Sequence, residues 1–320
     1  MPGQDPLSIA SAPILVTGAH RTGTTWVGKM LAASGEAAYI SEPLNVLHRP
    51  GVMRAPTRYW YTYICKENEP EILAALQETL RLEYHPWLEL KSIKSQKDLL
   101  RMGRDYRTFL LGKFLHQRPL LKDPFAVFSI PWFIERLKCQ VVVTVRHPVA
   151  FASSLKRLDW PFQLQDLLDQ PLLMRDWLEP FRADIQALMA SEQDNGAPDI
   201  LARGSLLWNM IYSVVEQVRS RYHQVLVVRH EDLSLEPSAG FSKLYNKLGL
   251  HFSDQAQKTI IASSSSDNPK EVSSQNAFDV RLDSRANIQN WKKRLGSVEI
   301  DRVRQITQGI ASIYYPDLAW

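Results

Sequence analysis

Apolar and polar positions follow two patterns along the chain. Short unbroken apolar runs, rich in β-branched residues, occur at Pro13–Thr17, Gln140–Val145 and Gln224–Arg229. They stop at Gly18, at Arg146-His147-Pro148 and at His230-Glu231-Asp232. Such runs predict strands buried on both faces. Two shorter runs, Tyr39-Ile40-Ser41 and Pro119-Leu120-Leu121, read the same way. Between them, apolar residues recur at three and four over Trp26–Ala33, Glu71–Glu83, Val149–Leu158, Ser205–Arg221 and Pro237–Leu248, which predicts amphipathic helices. A last helix is expected over Ser297–Tyr314, opened by Ser297 with Glu299 in its first turn.

Buried strands separated by helices predict an α/β protein, a central parallel sheet flanked by helices. No repeat or composition shift divides the chain, so a single domain over 1–320 is expected, with residues 1–12 flexible. Residues 262–290 are rich in Ser, Asn and Asp and predict one long loop. Loops of that length in compact domains usually serve function.

Composition narrows the class. With 45% apolar and 22% charged residues, the chain is neither disordered, collagenous nor a coiled-coil rod. The formal charge of +4 suits an anionic ligand but is too small to suggest nucleic acid. Cys65 and Cys139 alone build no disulfide framework and point to a reducing compartment. No run of about 18 apolar residues and no export signal is evident, so no membrane span and a cytoplasmic location are expected. His85, His116 and His223 have no partners at metal-ligand spacing, so no metal is expected.

The chemistry concentrates after the first strand. Gly18-Ala19-His20-Arg21-Thr22-Gly23-Thr24-Thr25 has the spacing of a phosphate-binding loop between a strand and a helix. Its glycines let successive N–H groups converge on phosphate oxygens, and the helix N-terminus adds its dipole. The ATP-binding version of this loop carries Lys after the second Gly; here that residue is Thr24, and the cation is Arg21. A loop of hydroxyls with one Arg suits a less charged 5′-group than a triphosphate with Mg²⁺.

His20-Arg21-Thr22-Gly23-Thr24-Thr25-Trp26 resembles the 5′-phosphosulfate loop of the sulfotransferases that use 3′-phosphoadenosine 5′-phosphosulfate (PAPS). A second hallmark of that family, for the 3′-phosphate, is a strand, then Arg, then Ser eight residues on; Arg146 and Ser154 match it, with Ser153 as a near competitor. His230-Glu231-Asp232-Leu233 resembles a Tyr-Glu-Asp-Leu segment whose aromatic residue lies near the adenine. Trp291-Lys292-Lys293 and the loop before it resemble the C-terminal cofactor segment, with Ser274, Arg285 and Lys292 as candidates. The resemblance implies the P-loop-like sulfotransferase fold, PAPS as donor and adenosine 3′,5′-bisphosphate (PAP) as product.

Sulfuryl transfer also needs a group to take the acceptor's proton. Glu42 ends the short second strand and would lie beside the phosphate loop, where open α/β sheets bind ligands. The resemblance supports it: tyrosine-protein sulfotransferases place their base Glu 21 residues after the loop's Arg, and carbohydrate sulfotransferases often carry Glu-Pro, as in Glu42-Pro43. Lys122-Asp123 ends another strand, giving Lys122 as a charge stabiliser and Asp123 as the reserve base. Cytosolic sulfotransferases have a Lys-x-His segment there, and the missing His sets this chain apart from the phenol and steroid enzymes. The run Tyr59–Tyr63 reads either as an acceptor wall or as a core helix with an aromatic edge. The expectation is sulfuryl transfer from PAPS to a hydroxyl, of a saccharide or glycolipid; the alternative is a P-loop nucleotide kinase or ATPase with a divergent loop.

Overall fold

The computed structural model describes residues 11–47, 49–160, 162–271, 280–316 and 320. Five parallel strands form one sheet: β1 Ile14–Gly18, β2 Ala37–Ser41, β3 Arg118–Lys122, β4 Gln140–Val145 and β5 Leu226–Arg229. Their spatial order is β2-β3-β1-β4-β5. The two halves of the chain depart to opposite sides of β1, leaving a crevice at its carboxyl end.

Alternation along the strands builds two cores. Leu15, Leu121, Val141 and Val143 face one side and pack with Phe151, Trp208 and Ile211 of the helices Pro148–Leu158 and Ile200–Arg221. Ile14, Val16, Leu120 and Val142 face the other, against Val27, Phe241 and Ile260 of the helices Thr24–Leu31, Pro237–Leu248 and Asp254–Ser264. Each such side chain leaves water almost completely, worth about 1.5–3 kcal/mol. The register then fixes the site. Gly18 is level with Thr144 and Ser41 with Lys122, so residues just beyond each strand meet at one edge.

Three expectations need correction. Tyr59–Tyr63 is neither helix nor strand: Tyr61 takes a left-handed conformation, φ 57°, which breaks any helix. The stretch 262–290 is not one loop, because a helix runs through Ser264 and another, Ser284–Ile288, returns near its end. Ser297 is the first helical residue rather than the cap; Gly296 occupies that position and its N–H donates to Glu299 Oε2 at 3.1 Å.

Candidate active site

The loop after β1 is shaped by two glycines. A Cβ on Gly18, φ 133°, would lie 2.4 Å from the Thr144 carbonyl oxygen. One on Gly23, φ 96°, would lie 2.7 Å from His230 Nδ1. Thr22 braces the turn: its hydroxyl donates to the Ala19 carbonyl at 2.5 Å and meets the Thr144 hydroxyl at 2.7 Å. That side chain is buried against the sheet and contributes to the loop's shape, not to the cavity wall. Gly23 precedes Thr24–Leu31 without a capping side chain, so the helix N-terminus opens towards the crevice.

The crevice is a cavity of about 320 Å³. His20, Arg21, Gly23, Thr24, Thr25 and Trp26 form its floor. Arg146 and His230 close one end, joined by Ser263, Val280, Leu282, Ser284 and Asn287. Glu42, Asn45, Leu47, Trp60, Phe125 and Trp160 form the other.

The cationic end is crowded. Burial, and then the charges of Arg146 and Arg157, lower the Arg21 guanidinium to about 10. Arg146 is likewise lowered, chiefly by burial, with Arg294 and Arg157 contributing against the opposing charge of Glu231. Its Nε is buried with no hydrogen-bond partner among the described residues, while one terminal nitrogen reaches the Arg21 carbonyl at 3.4 Å. Several buried like charges disfavour one another until an anion enters. Arg157 was legible as the residue one turn beyond Ser154 but is not part of any motif named above.

His20 and His230 are both neutral. Burial first, then a neighbouring Arg, holds each imidazole near 3. Tyr61 meets His20 twice. The phenol oxygen accepts the His20 backbone N–H at 3.3 Å and lies 2.6 Å from His20 Nδ1. The direction of the second bond follows the tautomer: with the phenol donating to Nδ1, His20 carries its own proton on Nε2. That nitrogen is buried without a partner among the described residues, on a ring stacked 5.4 Å from Trp160. His230 lies edge-on to Trp26 at 5.6 Å, and Trp26 Nε1 donates to Ser263 Oγ at 3.0 Å.

At the far end Glu42 sits at φ 52°, its N–H donating to the Lys122 carbonyl at 2.7 Å. Its carboxylate accepts from Lys122 Nζ through Oε1 and from Asn45 Nδ2 at 2.6 Å through Oε2. Burial alone would raise this carboxyl, but the charge and hydrogen bond of Lys122, the Asn45 bond and the charge of Arg49 together hold it below its usual range. Among the described residues, seven other than glycine have positive φ; Leu82, His116, Lys138 and Asp159 follow helix ends, where that is ordinary. The other three, Arg21, Glu42 and Tyr61, shape or support the cavity.

Several candidates lie elsewhere. Asp123 is buried outside the cavity wall, its oxygens accepting the N–H groups of Leu44 at 2.6 Å and Phe125 at 3.0 Å. Burial raises its pKa to about 7; it caps a turn and is not placed to meet an acceptor. Lys122 reaches the cavity only through Glu42. Ser154 is buried in its helix outside the wall, and beside it the Ser153 hydroxyl has no partner among the described residues. Arg285 turns outward to the Leu235 carbonyl at 2.8 Å, and Lys292 stands 5.4 Å over the Trp291 ring. Ser274 lies outside the described residues. The sequence offered no signal for Asn45, Leu47, Trp160 or Asn287. Among the described residues, no three His, Cys, Asp or Glu are grouped to hold a metal ion, and no helix is long and apolar enough to cross a membrane.

The sulfotransferase-domain family model matches residues 11–313, and the chain belongs to that family. No curated protein matches it. Similar solved structures include the sulfotransferase domain of the curacin biosynthetic pathway, 16% identical, TM-score 0.47, covering 92% of this chain and 96% of that one. A mouse sulfotransferase complexed with PAP is 11% identical, TM-score 0.44, covering 96% and 90%. Sulfotransferase STF9 from Mycobacterium avium is 13% identical, TM-score 0.46, covering 97% and 77%.

Proposed function

We propose that this sulfotransferase moves the sulfuryl group of PAPS to an acceptor hydroxyl, with Glu42 as the base. One observation carries the reading: a loop of phosphate-binding form and Arg146, whose buried Nε has no hydrogen-bond partner among the described residues, share a single cavity with the carboxylate of Glu42. The residues fit the nucleotide. Gly23 lets the loop backbone pass against His230, where a Cβ would clash, and Arg146 Nε has a hydrogen bond to give. PAPS supplies an activated sulfuryl group whose leaving phosphate gains charge during transfer.

The chain's own residues do the rest. Arg21 and the N-terminus of Thr24–Leu31 receive the growing charge on the 5′-phosphate. Arg146 holds the 3′-phosphate by a charge-assisted bond. His20 Nε2–H is a neutral donor at the floor. Glu42 accepts the acceptor's proton, and Lys122 keeps it ionised and aimed. Trp60, Phe125 and Trp160 give the acceptor end aromatic faces, which suits stacking on a sugar ring and, with Glu42-Pro43, favours a saccharide or glycolipid hydroxyl.

The test is incubation with PAPS and a panel of saccharides, glycolipids, phenols and peptides, reading PAP release and sulfated product. Sulfation of a sugar hydroxyl supports the acceptor class; sulfation of phenols alone would reverse it. Failure to consume PAPS with any acceptor, in protein that binds PAP, would remove the catalytic claim.

A further inference from the structure

Helix Gln96–Phe114 is amphipathic in the opposite sense to a covering helix. It turns Asp105, Phe109 and Gly112 inward, and Asp105 pairs with Arg49 at 2.9 Å. Its outer face carries Leu99, Leu100, Tyr106, Leu110, Leu111 and Phe114, all exposed, Leu100 at 75% and Phe114 at 77%. At 3.6 residues per turn they occupy one arc about 140° wide. A surface helix normally buries such a stripe. The short helix before it, Pro86–Leu90, adds Trp87 at 77% exposure and Leu90, while Glu89 is buried. Ten of the fifteen large exposed apolar residues of the described chain fall between 86 and 115.

The charge is concentrated in the same segment. Residues 86–115 hold seven Lys or Arg against three Asp or Glu, a net +4. The whole chain, 38 against 34, is also +4, so the remainder is neutral. Two of the three acids, Glu89 and Asp105, are buried, which leaves the outer surface more basic still. Around the helix, Lys97 and Arg104 flank the stripe on one side, Lys113 flanks it on the other, and Arg107 lies within it.

We propose that this face docks on an anionic lipid surface. An exposed apolar stripe with cationic flanks is the pattern of a helix lying in a bilayer interface, its apolar side chains entering the headgroup region and its cations meeting anionic lipid. A second copy of the chain would bring like charges together, and a protein partner would have to supply an apolar surface with acidic flanks to match it. Arg49, which pins the inner face of the helix, also donates to the carbonyl of Ser41, the residue before Glu42, so the helix that carries the docking face is tied on its opposite side to the strand leading into the cavity. The proposal stands apart from the donor and acceptor assigned above.

Co-sedimentation with vesicles of phosphatidylcholine, with and without phosphatidylserine, tests it without any activity measurement. The chain should bind the anionic vesicles, and binding should fall at least about tenfold between about 0.05 and about 0.5 M salt. Leu100→Ser with Phe114→Ser, and separately Lys97→Glu with Arg104→Glu, should each abolish binding while leaving the melting temperature unchanged. No binding to anionic vesicles at low salt overturns the proposal. So does a dimer, seen by light scattering, that Leu100→Ser with Phe114→Ser converts to monomer, because the face then belongs to a second copy. Binding only to an added acidic protein, and not to vesicles, equally overturns it.

Discussion

On the proposed role, replacing Glu42 by Gln removes the base, and it also strands a charge. Lys122 is 2% exposed, and among the described residues its ammonium pairs with Glu42 alone. Gln can still accept its hydrogen bond but cannot neutralise it. Removing one partner of a buried pair costs about 3–5 kcal/mol of stability. Loss of a general base separately slows turnover by about 10²–10⁴. A single variant therefore mixes two effects, and a second substitution separates them. In Glu42→Gln with Lys122→Met the buried charge disappears as well, and most of the lost stability should return. Turnover should not. The measurements are thermal melts and kcat at saturating PAPS for wild type, Glu42→Gln and the double variant. If the double variant recovers kcat to within about tenfold of wild type, Glu42 serves only as a counter-ion to Lys122, and its role as base is wrong.

Four further outcomes follow from the same geometry. In Lys122→Met, burial of Glu42 is opposed only by the Asn45 hydrogen bond and the Arg49 charge, so the acid limb of the kcat–pH profile should move upward from its position below the usual carboxylate range. Asp123, raised to about 7 by burial, stays protonated in the fold while the unfolded chain ionises above about 4. The fold should thus lose stability as pH rises through that window, and Asp123→Asn should flatten the slope in melts taken at pH 4 to 8, with kcat within a few-fold of wild type. Arg146→Ala should weaken PAP binding by about 1.5–3 kcal/mol in calorimetry, with little change in kcat at saturation. Tyr61→Phe leaves His20 Nδ1 without its donor, so nitrogen NMR of His20 should show the Nε2–H tautomer in wild type and a mixture in the variant.

Strand positions were readable because parallel strands buried on both faces need unbroken apolar runs, and Gln140–Val145 is recovered residue for residue. The turn of the loop after β1 was readable because its glycines are forced: neither Gly18 nor Gly23 has space for a side chain. Glu42 could be placed because β2 is parallel to β3 and ends level with it. The same argument did not separate Asp123 from it. A strand-end carboxylate looks alike in sequence whether it faces the cavity or bonds to Leu44 and Phe125, and only the loop's path decides. His20 could be assigned to the loop but not given a tautomer, since Tyr61 meets it across 41 positions. Arg285 and Lys292 sit beyond a loop whose course no periodicity dictates, and they turn away.

Isothermal calorimetry with PAP against ATP–Mg²⁺ goes to the heart of the assignment. Arg21 and Arg146 lie side by side in one crowded cationic cavity, and Thr24 stands where an ATP-binding loop has Lys. PAP should bind tightly with EDTA present, and Arg146→Ala should weaken it, while ATP–Mg²⁺ binds far more weakly. Metal-dependent ATP binding at equal or higher affinity, or no PAP binding by folded protein, would show that the cavity is not a PAPS site.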